Sequence, residues 1–191
     1  GQAAHGAFAE YVVVPAEHVA PKPENLSFEE AAAVPWGAPA LMGLRDVAQL
    51  KAGQRVLIVG ASGGVGTWAV QIAKALGAHV TAVCRTRNVE MVRGLGADEV
   101  LDYTKVDFVK AGARFDVMMD MVGNRPLSEC RSVLEPAGVY LPCSGGGGDW
   151  VGPMFRILWG LVVSLFTSRK FKTYVMAPTQ PNLVFLKELV E

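Results

Sequence analysis

The sequence predicts an α/β chain built on a doubly wound parallel sheet of six strands in the order 3-2-1-4-5-6. Three observations carry that prediction. From residue 55 onward, short β-branched runs alternate with longer amphipathic stretches, the pattern of a parallel sheet covered by helices on both faces. A run of small residues, GASGGVG at 60–66, separates the first of those strands from the first long helix. Apolar residues make up 51% of the 191 and charged residues 19%, enough to bury a sizeable core and too apolar for disorder.

Taken in order, residues 7–14 (AFAEYVVV) read as a strand, closed by Pro15, which cannot donate to a ladder. A loop rich in Pro and Glu follows. Ser27 and Glu30 then have capping-box spacing, which starts a helix at the alanines that follow. Pro35 and Pro39 interrupt it, and Leu41, Leu44, Val47, Ala48 and Leu50 recur on one helical face. The six strands of the sheet are RVLIVG at 55–60, HVTAVC at 79–84, EVLD at 99–102, FDVMMDMV at 115–122, GVYLPC at 138–143 and KTYVM at 172–176. Helices are expected at 64–76, 88–95, 125–134, 154–166 and from 181 onward. The chain opens within a strand pattern and stops within a helical one, so both ends read as cut.

Charge balance, cysteine spacing and run lengths disfavour several function classes. Eighteen basic residues balance eighteen acidic ones, so the whole-protein field that gathers nucleic acid or anionic lipid is absent. Cys84, Cys130 and Cys143 lie far apart with no CxxC pair, which fits neither a disulfide framework nor a cysteine-based zinc site and points to a reducing, cytoplasmic setting. The longest uncharged apolar run, 157–166, is about half of the ~20 residues a bilayer span needs, so no stable membrane insertion is expected. The segment 154–166 suits a core helix, a wall of an apolar substrate pocket or a homodimer contact. His5, His18 and His79 are isolated, without metal-ligand spacing.

The glycine run carries the chemistry. Ala61, Gly63 and Gly66 stand at the G-x-G-x-x-G spacing, with alanine in the first place and further glycines at Gly60 and Gly64. Small residues are needed there so that the strand can turn sharply, the backbone can approach a pyrophosphate and the helix can pack close to the sheet. The helix N-terminus then offers free N–H groups to phosphate, which makes Ser62, Gly63, Gly64, Val65 and Gly66 cofactor-binding candidates. No Gly-Lys-Ser/Thr ending follows, which argues against a nucleoside triphosphate.

The end of the second strand normally carries the carboxylate that accepts hydrogen bonds from the ribose of NAD(H). Here it reads Cys84-Arg85-Thr86-Arg87-Asn88, two guanidinium groups and a hydroxyl with no acid before Glu90, which favours the 2′-phosphate of NADPH. The alternative is that Arg85 and Arg87 are solvated residues at a helix start. Ligands of doubly wound sheets lie outside the carboxyl ends of the strands, which adds Tyr103, Val122 and Ser144 as candidates. Each has a structural alternative: Tyr103 as a cap on the sheet edge, the turn after Val122 as a plain glycine turn, Cys143 beside Ser144 as a buried thiol. Asp116 and Asp120 share a face of one strand and read as structural partners. No Ser-His-Asp or Tyr-x-x-x-Lys arrangement is visible, and no catalytic residue is assigned.

The strings GAFAEYVVVP, ENLSFEEAAAVP, AGQRVLIVGASGGVGTWAVQIAKALGAHVTAV, LGADEVLDY and FDVMMDMVG resemble the medium-chain dehydrogenase/reductase superfamily, in its zinc-free quinone oxidoreductase branch. The resemblance covers nearly the whole chain. It implies that residues 1–30 are the end of a GroES-like substrate domain and that 31–191 form a Rossmann domain that binds NADPH. It implies that Ser62, Gly64 and Val65 hold the pyrophosphate, and that Arg85 and Tyr103 reach the adenosine ribose phosphate. It also implies an enzyme that passes hydride to a quinone or another α,β-unsaturated carbonyl acceptor, with an enoyl thioester as the alternative substrate. The chain departs from that pattern at 35–40 (PWGAPA), where relatives usually carry a threonine. The departure motivates a rival reading, a non-catalytic NADPH-binding protein that serves structure or partner contact.

Overall fold

The computed structural model describes residues 10–143, 170–174 and 179–191. Its sheet contains β1 (Arg55–Val59), β2 (His79–Cys84), β3 (Glu99–Asp102), β4 (Phe115–Asp120), β5 (Leu134–Pro142) and β6 (Lys170–Phe171), in the order β3-β2-β1-β4-β5-β6. Every neighbouring pair is parallel. The order reverses between β1 and β4, and that switch point is where an open α/β sheet leaves a crevice.

The alternation of side chains along β1 builds a core on each face. Val56 and Ile58 face one way, against α2 (Ala38–Leu41) and α3 (Gly64–Ala75), while Leu57 and Val59 face the other, with Phe115, Met118 and Tyr140. Leu57 and Ile58 are wholly buried, each worth about 2 kcal/mol of apolar burial. The remaining α-helices among the described residues are α1 (Phe28–Ala31), α4 (Val89–Gly94), α5 (Leu127–Ser132) and α6 (Gln180–Val190).

Ahead of the sheet, α1 begins with the expected capping box: Ser27 Oγ accepts from the Glu30 N–H, and Glu30 Oε2 accepts from the Ser27 N–H. The chain then runs through a 3-10 turn, Val34–Gly37, into α2 and a π-helical turn, Met42–Val47. Segments far along the chain fasten onto this entry region. Lys172 Nζ donates to the Val47 carbonyl, Tyr174 Oη to the Pro39 carbonyl and Asn25 Nδ2 to the Val190 carbonyl. Leu183 and Leu186 of α6 are buried, and a Cβ on Gly37 would lie 2.8 Å from Leu186.

The structure corrects several boundaries. Residues 10–14 form no strand: Tyr11 and Val13 are almost fully exposed, and no described strand offers them a ladder partner, without which an extended segment gains no hydrogen bonds. Residues 7–9 of that expected strand lie outside the described residues. β4 stops at Asp120 rather than Val122, because the Asp120 carboxylate accepts the N–H groups of Val122 and Gly123 and turns the chain. β5 starts four residues earlier than expected, with Leu134 opposite Phe115 and a register shift before Val117 pairs with Val139. β6 pairs at Lys170–Phe171, two residues before the expected strand at 172–176, and Phe171 packs on Tyr140 with ring centroids 5.5 Å apart; residues 175 and 176 of the expected strand lie outside the described residues. α5 is shorter than expected, since Pro126 sits at its N-cap. The expected helix at 154–166 and the candidate Ser144 also lie outside the described residues.

Candidate functional site

The turn after β1 is shaped by two glycines. Gly60 has φ +85°, a conformation L side chains rarely adopt, and a Cβ on Gly66 would lie 2.2 Å from the Gly60 carbonyl oxygen. Helix and strand therefore meet backbone against backbone. On the opposite side the loop is open, because a Cβ on Gly64 would meet nothing within 4 Å. Gly63 caps α3 without a side-chain hydrogen bond, and its own N–H is taken by the Gly60 carbonyl. The first-turn N–H groups of Gly64, Val65 and Gly66 have no carbonyl one turn back, so they face outward as donors at the positive end of a 12-residue helix. That cradle fits the pyrophosphate of a dinucleotide.

Two cavities meet over the loop. The first, about 580 Å³, is lined by Ser62, Arg85, Arg87, Tyr103 and Val122; the second, about 470 Å³, by Gly64, Val65, Gly66, Trp36, Cys143 and Tyr174. Gly60, Gly63 and Met121 line both, so the loop is the seam between an outer, guanidinium-bearing chamber and an inner, more apolar one. All the sequence-derived candidates that fall in described residues are thus gathered around one cleft at the carboxyl ends of the strands.

In the outer chamber, neither Arg85 nor Arg87 has an ion-pair partner among the described residues, although Arg125 nearby is held by Asp107 and Glu129. Thr86 behaves differently from the expectation of a hydroxyl offered to a phosphate. Its Oγ1 donates to Asp102 Oδ2 at 2.6 Å, while Asp102 Oδ1 accepts from the Thr104 N–H and Oγ1. The hydrogen bonds from Thr86 and then Thr104 hold the Asp102 carboxyl at about 2, below its ordinary 3.8. A carboxyl lowered on folding stabilises the folded state above its unfolded pKa and loses that contribution as pH falls toward the folded value. Stability is therefore expected to drop between about pH 4 and pH 2, and Asp102→Asn to remove that share of the drop, as read from urea midpoints across the range.

In the inner chamber, sequence reasoning missed the part played by Trp36 and Tyr174. The signal for Tyr174 was available, since it stands near the carboxyl end of the expected sixth strand. Its hydroxyl donates to the Pro39 carbonyl at 2.5 Å and lies 3.5 Å from Cys143 Sγ; a Cβ on Gly43 would come 2.6 Å from the same oxygen. Burial pushes the Cys143 thiol up to about 11 and raises Tyr174 as well, with the neighbouring Cys143 adding to it. Both groups stay neutral, which suits a dry wall and not a thiolate nucleophile.

Comparison with known proteins agrees with this architecture. The family model described as "Zinc-binding dehydrogenase" matches residues 64–176. The chain is 46% identical over 126 residues to mouse "NAD(P)H oxidoreductase RTN4IP1, mitochondrial", covering 62% of this chain and 32% of that protein. It is 34% identical over 196 residues to the spinach "Quinone-oxidoreductase homolog, chloroplastic", covering 97% of this chain and 58% of that protein. Among solved structures, the quinone oxidoreductase from Coxiella burnetii superposes with a TM-score of 0.74 at 29% identity, covering 88% of this chain and 51% of that one. The CurK enoyl reductase gives 0.71 at 26%, covering 90% and 52%. The chain thus spans between about a third and three fifths of the relatives it matches. The family's description names zinc, yet among the described residues no three His, Cys, Asp or Glu side chains cluster in a way that could hold a metal, so the donors present do not fit one. By its matched model, its relatives and its sheet order, this chain belongs to the zinc-binding dehydrogenase family, in the quinone oxidoreductase-like part of the medium-chain dehydrogenase/reductase superfamily.

Proposed function

We propose that the chain is the dinucleotide-binding part of an NADPH-dependent, zinc-independent reductase that passes hydride to an electron-poor acceptor such as a quinone or an enone. The observation that carries this reading is the double cleft: one chamber holds Arg85 and Arg87, which have no ion-pair partner among the described residues, the other has an apolar wall, and N–H groups face outward at the seam. NADPH supplies the hydride when bound. The chain's own residues position and exclude. Gly64, Val65 and Gly66 offer N–H groups to the pyrophosphate, Arg85 and Arg87 offer paired donors to the 2′-phosphate, and Trp36, Met121 and Tyr174 line the inner chamber. The names of the relatives, which include a "Trans-enoyl reductase" of Aspergillus terreus, support an activated double bond as the acceptor class.

Tryptophan fluorescence titration with NADPH and NADH tests the cofactor, and NADPH oxidation across quinones, enones and enoyl thioesters tests the acceptor. NADPH is expected to bind at least about tenfold more tightly than NADH, a gap of ~1.4 kcal/mol, and Arg85→Asp to reverse the order. Tight NADPH binding with no turnover on any acceptor would favour a non-catalytic binding protein. A cytoplasmic setting and a homodimer belong to the same proposal. Cell fractionation tests the first, against relatives named mitochondrial and chloroplastic, and sedimentation tests the second.

A further inference from the structure

The carboxylate nearest the guanidinium turn raises a physical problem. Asp102 is paired in register with Cys84, the last residue of β2, so it stands beside the turn that begins at Arg85. A free carboxylate there would repel a phosphate and accept a ribose hydroxyl, which is the chemistry of NADH recognition. Asp102 is not free. Both oxygens are filled, Oδ2 by the Thr86 hydroxyl and Oδ1 by the Thr104 N–H and hydroxyl, with Lys105 Nζ 3.7 Å from Oδ2.

The same bonds anchor the turn. Thr86 begins the short 3-10 turn Thr86–Asn88, and its side chain is the tie that fastens it to the end of β3, while the flanking Arg85 and Arg87 line the outer chamber. The Thr86 and Thr104 hydroxyls are 3.2 Å apart, so the two threonines and the carboxylate form one closed cluster. We propose that Asp102 and Thr86 are positioning residues for dinucleotide choice: their mutual hydrogen bond fixes the Arg85–Arg87 turn toward the 2′-phosphate and occupies the carboxylate oxygen that would otherwise favour NADH. This inference rests on the NADPH reading and names the residues outside the direct phosphate contact that set it.

The test compares NADPH and NADH affinity, by tryptophan fluorescence, in the 191-residue chain and in Thr86→Val, Thr86→Ser and Asp102→Asn variants. Thr86→Val is expected to weaken NADPH about tenfold while NADH holds or tightens, because the turn is released and a carboxylate oxygen is uncovered. Thr86→Ser, which keeps the hydroxyl, is expected to restore the original preference. Asp102→Asn removes the charge, so it is expected to weaken NADPH less than Thr86→Val does. Unchanged NADPH preference in Thr86→Val would overturn the inference and leave the NADPH reading intact. Parallel loss of both nucleotides in Thr86→Val would make the cluster a plain structural support and overturn the inference as well. If the unaltered chain binds NADH as tightly as NADPH, or neither, the NADPH reading itself fails and the inference goes with it.

Discussion

Gly66→Ala is expected to lower stability by about 3 kcal/mol or more, the upper end of overpacking costs, which for a chain of this size is a fall in Tm of roughly 6–12 °C. The new methyl would lie 2.2 Å from the Gly60 carbonyl oxygen and 2.8 Å from the Ala61 Cα, both main-chain atoms of the same tight turn. A side chain in that position could rotate away. Here strand and helix would have to separate, because Gly60 already occupies a left-handed conformation and has no slack to give. Gly64→Ala is the contrasting variant. Its methyl meets nothing within 4 Å, and alanine suits a helix start, so stability is expected to hold or rise by up to about 1 kcal/mol. The proposed function puts the pyrophosphate on the open side of Gly64, so nucleotide affinity is expected to fall while the fold persists. Thermal melts and nucleotide titrations of the two variants together check the assignment. Equal melting temperatures for Gly66→Ala and the unaltered chain would refute the close approach of helix to strand.

The second large effect is expected at Asp120. This carboxylate is buried and, among the described residues, accepts from the N–H of Val122, from the N–H of Gly123 and from Tyr140 Oη at 2.8 Å. Asp120→Ala takes this acceptor from the Gly123 N–H and the Tyr140 hydroxyl, and losing such buried bonds costs about 1–3 kcal/mol each, for a total near 2–6 kcal/mol. Val122 is exposed, so its N–H can turn to water and adds little. Tyr140→Phe removes one donor only and is expected to cost about 1–2 kcal/mol. The consequence reaches the cleft, since the turn that Asp120 holds carries Met121, which lines both chambers, and Val122, which lines the outer one. Nucleotide affinity should therefore weaken in Asp120→Ala even at temperatures where the variant is fully folded. Urea denaturation gives the first quantity and titration the second; a loss under about 1 kcal/mol would mean that the pair of buried donors finds other partners.

Much of this was legible because parallel strands buried on both faces are written as continuous apolar runs, and RVLIV at β1 and HVTAVC at β2 are short, β-branched runs of that kind. The cleft candidates followed from one rule, that ligands collect at the carboxyl ends of the strands, and Arg85, Tyr103 and Val122 do line it. What could not be read was direction. That Thr86 turns its hydroxyl to Asp102 depends on the register that brings β3 beside β2, a relation between residues 16 apart that no local pattern encodes. The sequence of the π-helical turn at Met42–Val47 reads as ordinary helix, because its apolar spacing is nearly the same. The run YVVV at 11–14 failed for the opposite reason: its composition is strand-like, but a ladder has two sides and composition describes one.

The fastening of α6 and the Lys172–Tyr174 stretch onto the entry region bears on how the molecule opens. A closure between Asn25 and Val190 spans 165 positions, yet the entropy of joining chain ends grows only as a logarithm, about 0.6 kcal/mol for each doubling of length. Relative to a loop a quarter as long, this one costs roughly 1.2 kcal/mol more, less than the ~2 kcal/mol gained by burying either Leu183 or Leu186. The clasp is held by burial rather than by proximity in sequence. It also touches the inner chamber through Tyr174 and Pro39, so amide protons of α6 and of the entry helices should exchange together, as one cooperative unit distinct from the sheet.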